Sequence, residues 1–124
     1  AFEGKTGPYV QYTVVRINSL LQKAAAQNMQ AGELHIDEAQ KEMALLLLEF
    51  PDAVQGALND YAPNILADYL FRCAQGLNRY YQTVPVLIEE DAAKRGSALA
   101  LLHLAARILT EGLDLLGIKV PKHM

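Results

Sequence analysis

Apolar residues recur at every third or fourth position through most of this chain, and prolines punctuate the pattern. After Pro8, the residues Val10, Val14, Ile17, Leu21 and Ala24 fall on one side of a helix turning ~100° per residue. They predict a first helix from about Pro8 to Met29, stopping near Gly32, with that side in the core. Pro8 suits a first turn, and Thr6 is the expected N-cap. A second helix is expected from about Asp37 to Glu49, with Asp37 as N-cap and Glu38 at the positive end of the dipole. Its run Met43 to Leu48 is too continuous for one stripe and predicts burial on more than one side. Phe50-Pro51 ends it, because the residue before proline disfavours the α region.

Pro51 opens a short third helix to about Tyr61. Ala62-Pro63 repeats the punctuation and opens a fourth, from Pro63 to about Thr83, closed by Val84-Pro85. Val86-Leu87-Ile88 reads as an apolar connector. A fifth helix is expected from about Glu90 to Leu116, with Glu89, Glu90 and Asp91 at its positive end. Leu99, Leu102, Ala106, Leu109, Leu113 and Leu116 form its core stripe. Gly117 is placed for a C′ glycine and Pro121 prevents continuation. Gly96 and Gly112 inside this helix suggest close approach of another helix. Five helices with short connections predict one all-α five-helix bundle spanning residues 1–124.

The first helix has a second, different side. Tyr9, Tyr12 and Arg16 lie roughly 130° round the axis from the core stripe. Two phenols and a guanidinium suit stacking and hydrogen bonding with flat polar partners such as unpaired bases. By spacing alone, half-buried tyrosines and a solvated arginine explain the same pattern. On the fourth helix, Tyr69, Cys73, Gly76 and Tyr80 share one side, and Leu70, Leu77 and Tyr81 share the next. Asn78, Arg79, Tyr80 and Tyr81 are either a polar-aromatic end beside Pro85 or ordinary packing with hydroxyls at the edge.

Composition narrows the class. The chain of 124 residues is 52% hydrophobic, enough for one domain with a real core. Cys73 is the only cysteine, which excludes an internal disulfide and points to a reducing compartment. There is no membrane-spanning apolar run, and no signal peptide is expected. A net charge of −3 argues against nucleic acid, but its distribution does not. Residues 31–70 carry eight acids against Lys41, whereas the first helix and the Arg72–Arg79 segment are locally basic. A nucleic-acid ligand would use those two segments.

No catalytic constellation emerges. His35, His103 and His123 lack metal-ligand spacing with each other or with Cys73, so no metal site is expected. Cys73 reads as a small buried hydrophobe and His103 as a surface or half-buried side chain. Gly4-Lys5-Thr6-Gly7 lacks P-loop spacing, and Ser19 and Ser97 lack a nucleophile motif.

Three motifs in order then carry a resemblance. Phe2-Glu3-Gly4-Lys5-Thr6-Gly7-Pro8-Tyr9-Val10-Gln11-Tyr12, followed by Arg16-Ile17, resembles the start of the carboxy-terminal, DALR-type anticodon-binding domain of arginyl-tRNA synthetases. Leu77-Asn78-Arg79-Tyr80-Tyr81, then Val84-Pro85-Val86-Leu87, is similar to that family's Phe-Asn-x-Phe-Tyr segment and connector. Gly112-Leu113-Asp114-Leu115-Leu116-Gly117-Ile118, with Pro121 and a final Met124, resembles its ending. One departure stands out: Ala98 precedes Leu99-Ala100-Leu101 where the family usually has Arg.

The resemblance implies an all-α module that binds the anticodon stem-loop of tRNA-Arg. Tyr9, Gln11, Tyr12 and Arg16 correspond to its base-contacting stripe. Tyr81, with Tyr80 and Asn78, corresponds to a second wall, and Met124 with its carboxylate to the closing element. It also implies a fragment of a longer cytoplasmic arginine–tRNA ligase, whose ATP- and magnesium-dependent catalytic domain lies upstream. The fragment itself is expected to need no cofactor and to be non-catalytic alone. The acidic middle and Ala98 leave a helical protein–protein interaction module as the alternative.

Overall fold

In the computed structural model, residues 6–83 and 85–124 are described, Thr83 by its backbone alone. Five α-helices follow in order: α1 (Thr6–Ala26), α2 (Glu38–Leu48), α3 (Phe50–Asn59), α4 (Pro63–Thr83) and α5 (Ala92–Leu115). A single 3-10 turn, Val86–Ile88, replaces the expected connector before α5. No strand occurs among the described residues. Glu49 alone separates α2 from α3, so taken as one bent helix these two leave a bundle of four rods.

Local chemistry explains the boundaries. Asp37 caps α2 through a reciprocal capping box, its carboxylate accepting from the Gln40 backbone while the Gln40 amide oxygen accepts from the Asp37 backbone. Asp91 caps α5 by accepting from the backbone of Ala93 and Lys94. Gly117 follows α5 with φ +78°, the left-handed value a C′ glycine supplies. The beginning of α1 differs from expectation. Thr6 is already helical rather than capping, and residues 1–5, which include the first four positions of the Phe2–Tyr12 motif, lie outside the described set. Val84 of the connector motif also lies outside it.

The fourth helix is central and packs against each of the other four. Val10, Val14, Ile17 and Leu20 of α1, Leu70 and Leu77 of α4, and Leu99, Leu102, Leu109 and Leu113 of α5 form the common core. Leu20, not the expected Leu21, is the buried one of that pair. Leu116 is only partly buried at the edge of the stripe. The expectation for α2 fails more clearly. It buries Met43 and Leu47 beside Gln40, while Leu45 and Leu48 remain 55% and 74% exposed. One side of α2 therefore packs on the bundle and nothing among the described residues covers the other.

Side chains close the remaining backbone groups. The Tyr69 hydroxyl donates to the carbonyls of Leu46 (2.8 Å) and Leu47 (3.2 Å) at the end of α2, adding to the bonds they accept from the Glu49 N–H. The segment after α1 is stitched to the start of α5. Gly32 N–H donates to the Gly96 carbonyl at 2.9 Å, and Ser97 Oγ both accepts from His35 N–H and donates to the His35 carbonyl. Gly96 is thus a close-approach glycine, although its neighbour is this loop rather than a helix. Ala98 lies in the core beside it.

Candidate nucleic-acid interface

The α1 side next to the core stripe meets α4 through a small polar network. Asn78 lies at its centre. Its Nδ2 donates to the Tyr9 hydroxyl at 2.8 Å and to Thr13 Oγ1 at 3.1 Å, while its Oδ1 accepts from Arg16 Nη1 at 3.1 Å. Each end of Asn78 is satisfied, which fixes both its amide orientation and the height at which Arg16 sits. The Arg16 guanidinium carbon stands 5.5 Å from the Tyr12 ring centre and 5.1 Å from that of Tyr81. Both distances fall within the range of cation–π attraction.

Half-buried Tyr9 stacks its ring 5.1 Å from Phe71 with the planes tilted by 50°. Tyr12, by contrast, is 46% exposed, so one face of its ring is free for a partner. The result is a ridge of π surface and one held cation, with Tyr12 outermost. Neither Thr13 nor Phe71 stood out in the sequence. Thr13 follows Tyr9 by four residues, the helical spacing that brings side chains together, and Phe71 precedes Asn78 by seven, two turns of α4. Those offsets were the available signals.

Tyr80 belongs elsewhere. It is buried, on the α2 side of α4, and its hydroxyl accepts from Gln40 Nε2 at 3.3 Å. Burial raises its phenol pKa above the ordinary value, with the Gln40 bond opposing that shift. Tyr69 and Cys73 share this side, and burial raises both, Cys73 to about 11. These groups stay protonated at neutral pH and behave as packing.

Gln11 and Met124 lie on the other flank of α1. Gln11 Nε2 donates to the Lys119 carbonyl at 2.7 Å, and Lys119 Nζ reaches Asp114 Oδ1 at 2.7 Å, which holds the terminal segment against the bundle. That segment roofs a groove of about 1120 Å³ between α1 and α5, with Val15, Asn18 and Gln22 on one wall, His103 on the other and Met124 at the rim. The structure thus brings Tyr9, Tyr12, Arg16, Asn78 and Tyr81 together. It places Gln11 and Met124 on the adjacent flank and Tyr80 in the core. No group of His, Cys, Asp or Glu capable of holding a metal occurs among the described residues. None of the described helices is long and apolar enough to cross a membrane.

Known proteins share this fold. The DALR anticodon binding domain family matches residues 10–124. An arginine–tRNA ligase of Maricaulis maris is 39% identical across the whole of this chain, which covers 21% of that protein. One from Hyphomonas neptunium is 42% identical with the same coverage. The solved Thermus thermophilus arginyl-tRNA synthetase superposes with a TM-score of 0.86 at 37% identity, over 100% of this chain and 22% of its own. A Campylobacter jejuni chain at 21% identity, with a TM-score of 0.81, shares the fold over 96% of this chain and 26% of its own. This chain spans only about a fifth of the length of the curated relatives it matches. On a match that runs from the second turn of α1 to Met124, the chain belongs to the DALR anticodon binding domain family.

Proposed function

We propose that this chain is the anticodon-reading module of a cytoplasmic arginine–tRNA ligase. It binds the anticodon loop of tRNA-Arg and orients the tRNA for a catalytic domain elsewhere in the polypeptide. ATP and magnesium belong to that catalytic domain, and no cofactor is assigned to the module.

The observation that carries this reading is Arg16, held between the Tyr12 and Tyr81 rings and bonded to Asn78. A guanidinium fixed at that height presents its remaining N–H donors to a base edge or a phosphate, and the exposed Tyr12 ring offers a stacking face. Gln11 and Met124 place the terminal segment on the neighbouring flank, so a bound loop straddling α1 meets both sides. An interaction module without RNA affinity has less support, because the acids concentrate in residues 31–70, outside the segments that form this ridge, and the family match runs through those segments.

The test is fluorescence anisotropy with a labelled anticodon stem-loop of tRNA-Arg at low salt, where phosphate contacts are strongest. Stacking contributes about 1–3 kcal/mol per base, so Tyr12→Ala weakens binding roughly tenfold while circular dichroism stays helical. Wild-type protein that fails to bind at low salt, or binding unchanged by both Tyr12→Ala and Arg16→Ala, overturns the assignment.

A further inference from the structure

The hydrogen bonds around Asn78 leave one proton without a taker. Asn78 Nδ2 spends both of its N–H groups, on the Tyr9 hydroxyl at 2.8 Å and on Thr13 Oγ1 at 3.1 Å. Its Oδ1 accepts from Arg16 Nη1 at 3.1 Å. The reverse amide orientation would set N–H groups against the guanidinium, donor against donor, so the polarity of the network has one solution. Thr13 fits it as well. Its hydroxyl proton goes to the Tyr9 carbonyl at 2.9 Å, which leaves its oxygen to accept.

Toward the protein, the Tyr9 hydroxyl is therefore an acceptor. Its proton cannot point at Asn78, and no acceptor among the described residues takes it. The ring is braced 5.1 Å from Phe71, so the hydroxyl stays where it is and its proton is available only to a partner from outside. Arg16 is of the same kind. It spends one N–H on Asn78, its other neighbours are the rings of Tyr12 and Tyr81, and a guanidinium has no acceptor to offer. Around Asn78 the ridge presents donors and stacking faces.

We infer that Asn78 is a positioning residue that makes the Tyr9 hydroxyl an outward donor, so that Tyr9 and Arg16 together select a pair of adjacent hydrogen-bond acceptors. The inference rests on the reading of this ridge as an RNA site. Two parts of an RNA loop carry such a pair. One is a base edge such as O2 and N3 of cytosine or O6 and N7 of guanine. The corresponding edges of uracil and adenine put an N–H beside the acceptor and meet the ridge donor against donor. The other is the two free oxygens of a phosphate. Asn78 acts through Tyr9 and Arg16 in either case.

A double-mutant cycle read by stem-loop anisotropy tests this. Tyr9→Phe removes the outward proton and keeps the ring. Asn78→Asp keeps the side-chain shape but has no N–H, so the Tyr9 hydroxyl turns inward to donate to the carboxylate. Tyr9→Phe weakens binding about tenfold in the wild-type background and less than about twofold in the Asn78→Asp background. The general loss from a carboxylate beside Arg16 is common to both proteins of the second pair and cancels. Stem-loops with uracil for cytosine or adenine for guanine, one position at a time, locate the acceptors. A base edge is identified where one replacement weakens wild-type binding about tenfold and Tyr9→Phe binding far less. A phosphate is identified where only a neutral methylphosphonate does so. This arm needs Tyr9→Phe alone, so it decides the matter even if Asn78→Asp fails to give a helical circular dichroism spectrum. Equal losses from Tyr9→Phe in both backgrounds, no loss in either, or a Tyr9→Phe protein as discriminating as wild type at every position overturns the inference and leaves RNA binding standing. Wild-type protein that binds no stem-loop refutes the functional reading instead, and this inference with it.

Discussion

The Arg16 guanidinium stands 5.1 Å from the centre of the Tyr81 ring, and this contact joins α1 to α4 at the ridge where RNA is proposed to bind. Both partners gain from it. The ring holds the cation without neutralising it, as a carboxylate would, and the cation keeps the ring from rotating. Arg16→Lys retains the charge but loses the planar fork that reaches Asn78 while stacking on tyrosine. Its expected effect is a several-fold weaker stem-loop affinity, and Arg16→Ala weakens it further. Arg16→Ala lowers unfolding free energy by only about 1 kcal/mol, because the group is partly solvated. Anisotropy titration beside urea denaturation separates the two effects.

Asn78 predicts the opposite balance. Its amide satisfies Tyr9, Thr13 and Arg16 at once, all in a partly buried setting. Asn78→Ala removes one bond from each of these, while Thr13 keeps its bond to the Tyr9 carbonyl and Arg16 its ring contacts, and costs about 2 kcal/mol by urea denaturation. Asn78→Ser, which can still satisfy one of the three, falls between. A cost below that of Arg16→Ala contradicts the central role of the amide.

Adjacent tyrosines are expected to separate into different classes. Tyr80→Phe removes a buried hydroxyl bonded to Gln40 and costs roughly 1 kcal/mol of stability, with stem-loop affinity unchanged. Tyr81→Ala removes the ring under Arg16 and weakens stem-loop binding. Affinity lost on Tyr80→Phe at full stability would place the pocket on the other side of α4.

That division was not legible in the sequence, and the reason is geometric. Residues 80 and 81 lie ~100° apart on the helix, and only the location of α2 and α1 decides which of them is covered. The same limit explains Leu20. Leu21 lies ~20° from Val10, within the predicted α1 stripe, and Leu20 lies ~80° round toward Tyr9, but the buried side is turned toward α4 and takes in Leu20. Proline punctuation was more informative: α4 runs from Pro63 to Thr83 as expected, and Pro51 follows the end of α2. The apolar run Met43–Leu48 misled because hydrophobicity records a need for cover without saying whether this chain or another domain supplies it. The Tyr12–Arg16 ridge was legible as a stripe. Its hub, Asn78, acquired meaning only when α4 was set beside α1.

The two glycines of α5 differ in what surrounds them. A Cβ on Gly96 would lie 3.0 Å from Gly32 N and 3.2 Å from its Cα, both backbone atoms tied down by the Gly32–Gly96 hydrogen bond. One on Gly112 would lie 2.5 Å from Leu70 Cδ2, closer but against a side chain that can change rotamer. Overpacking of this kind costs about 1–3 kcal/mol, partly offset by the better helix propensity of alanine. Gly112→Ala is destabilising in thermal melts, and Gly112→Ala with Leu70→Val recovers part of the loss. Gly96→Ala has no comparable rescue and frays the 27–37 segment, visible as faster hydrogen exchange at Gly32.

Titration gives the last prediction. The thiol of Cys73 and the phenols of Tyr69 and Tyr80 are all raised, with burial as the largest cause. Each loses a proton more readily when unfolded, so the unfolded state binds fewer protons than the native state at alkaline pH and stability falls as pH rises. For Cys73 the loss begins near the ordinary thiol value of 9.0 and continues to about 11, with Tyr69 and Tyr80 adding to it from about pH 10 upward. Urea midpoints should therefore be level between pH 7 and 8 and decline from about pH 9. Cys73→Ala should shift the onset of decline upward at the cost of a small cavity. A midpoint that holds steady to pH 11 would show that these groups ionise as easily in the native protein as in the unfolded chain.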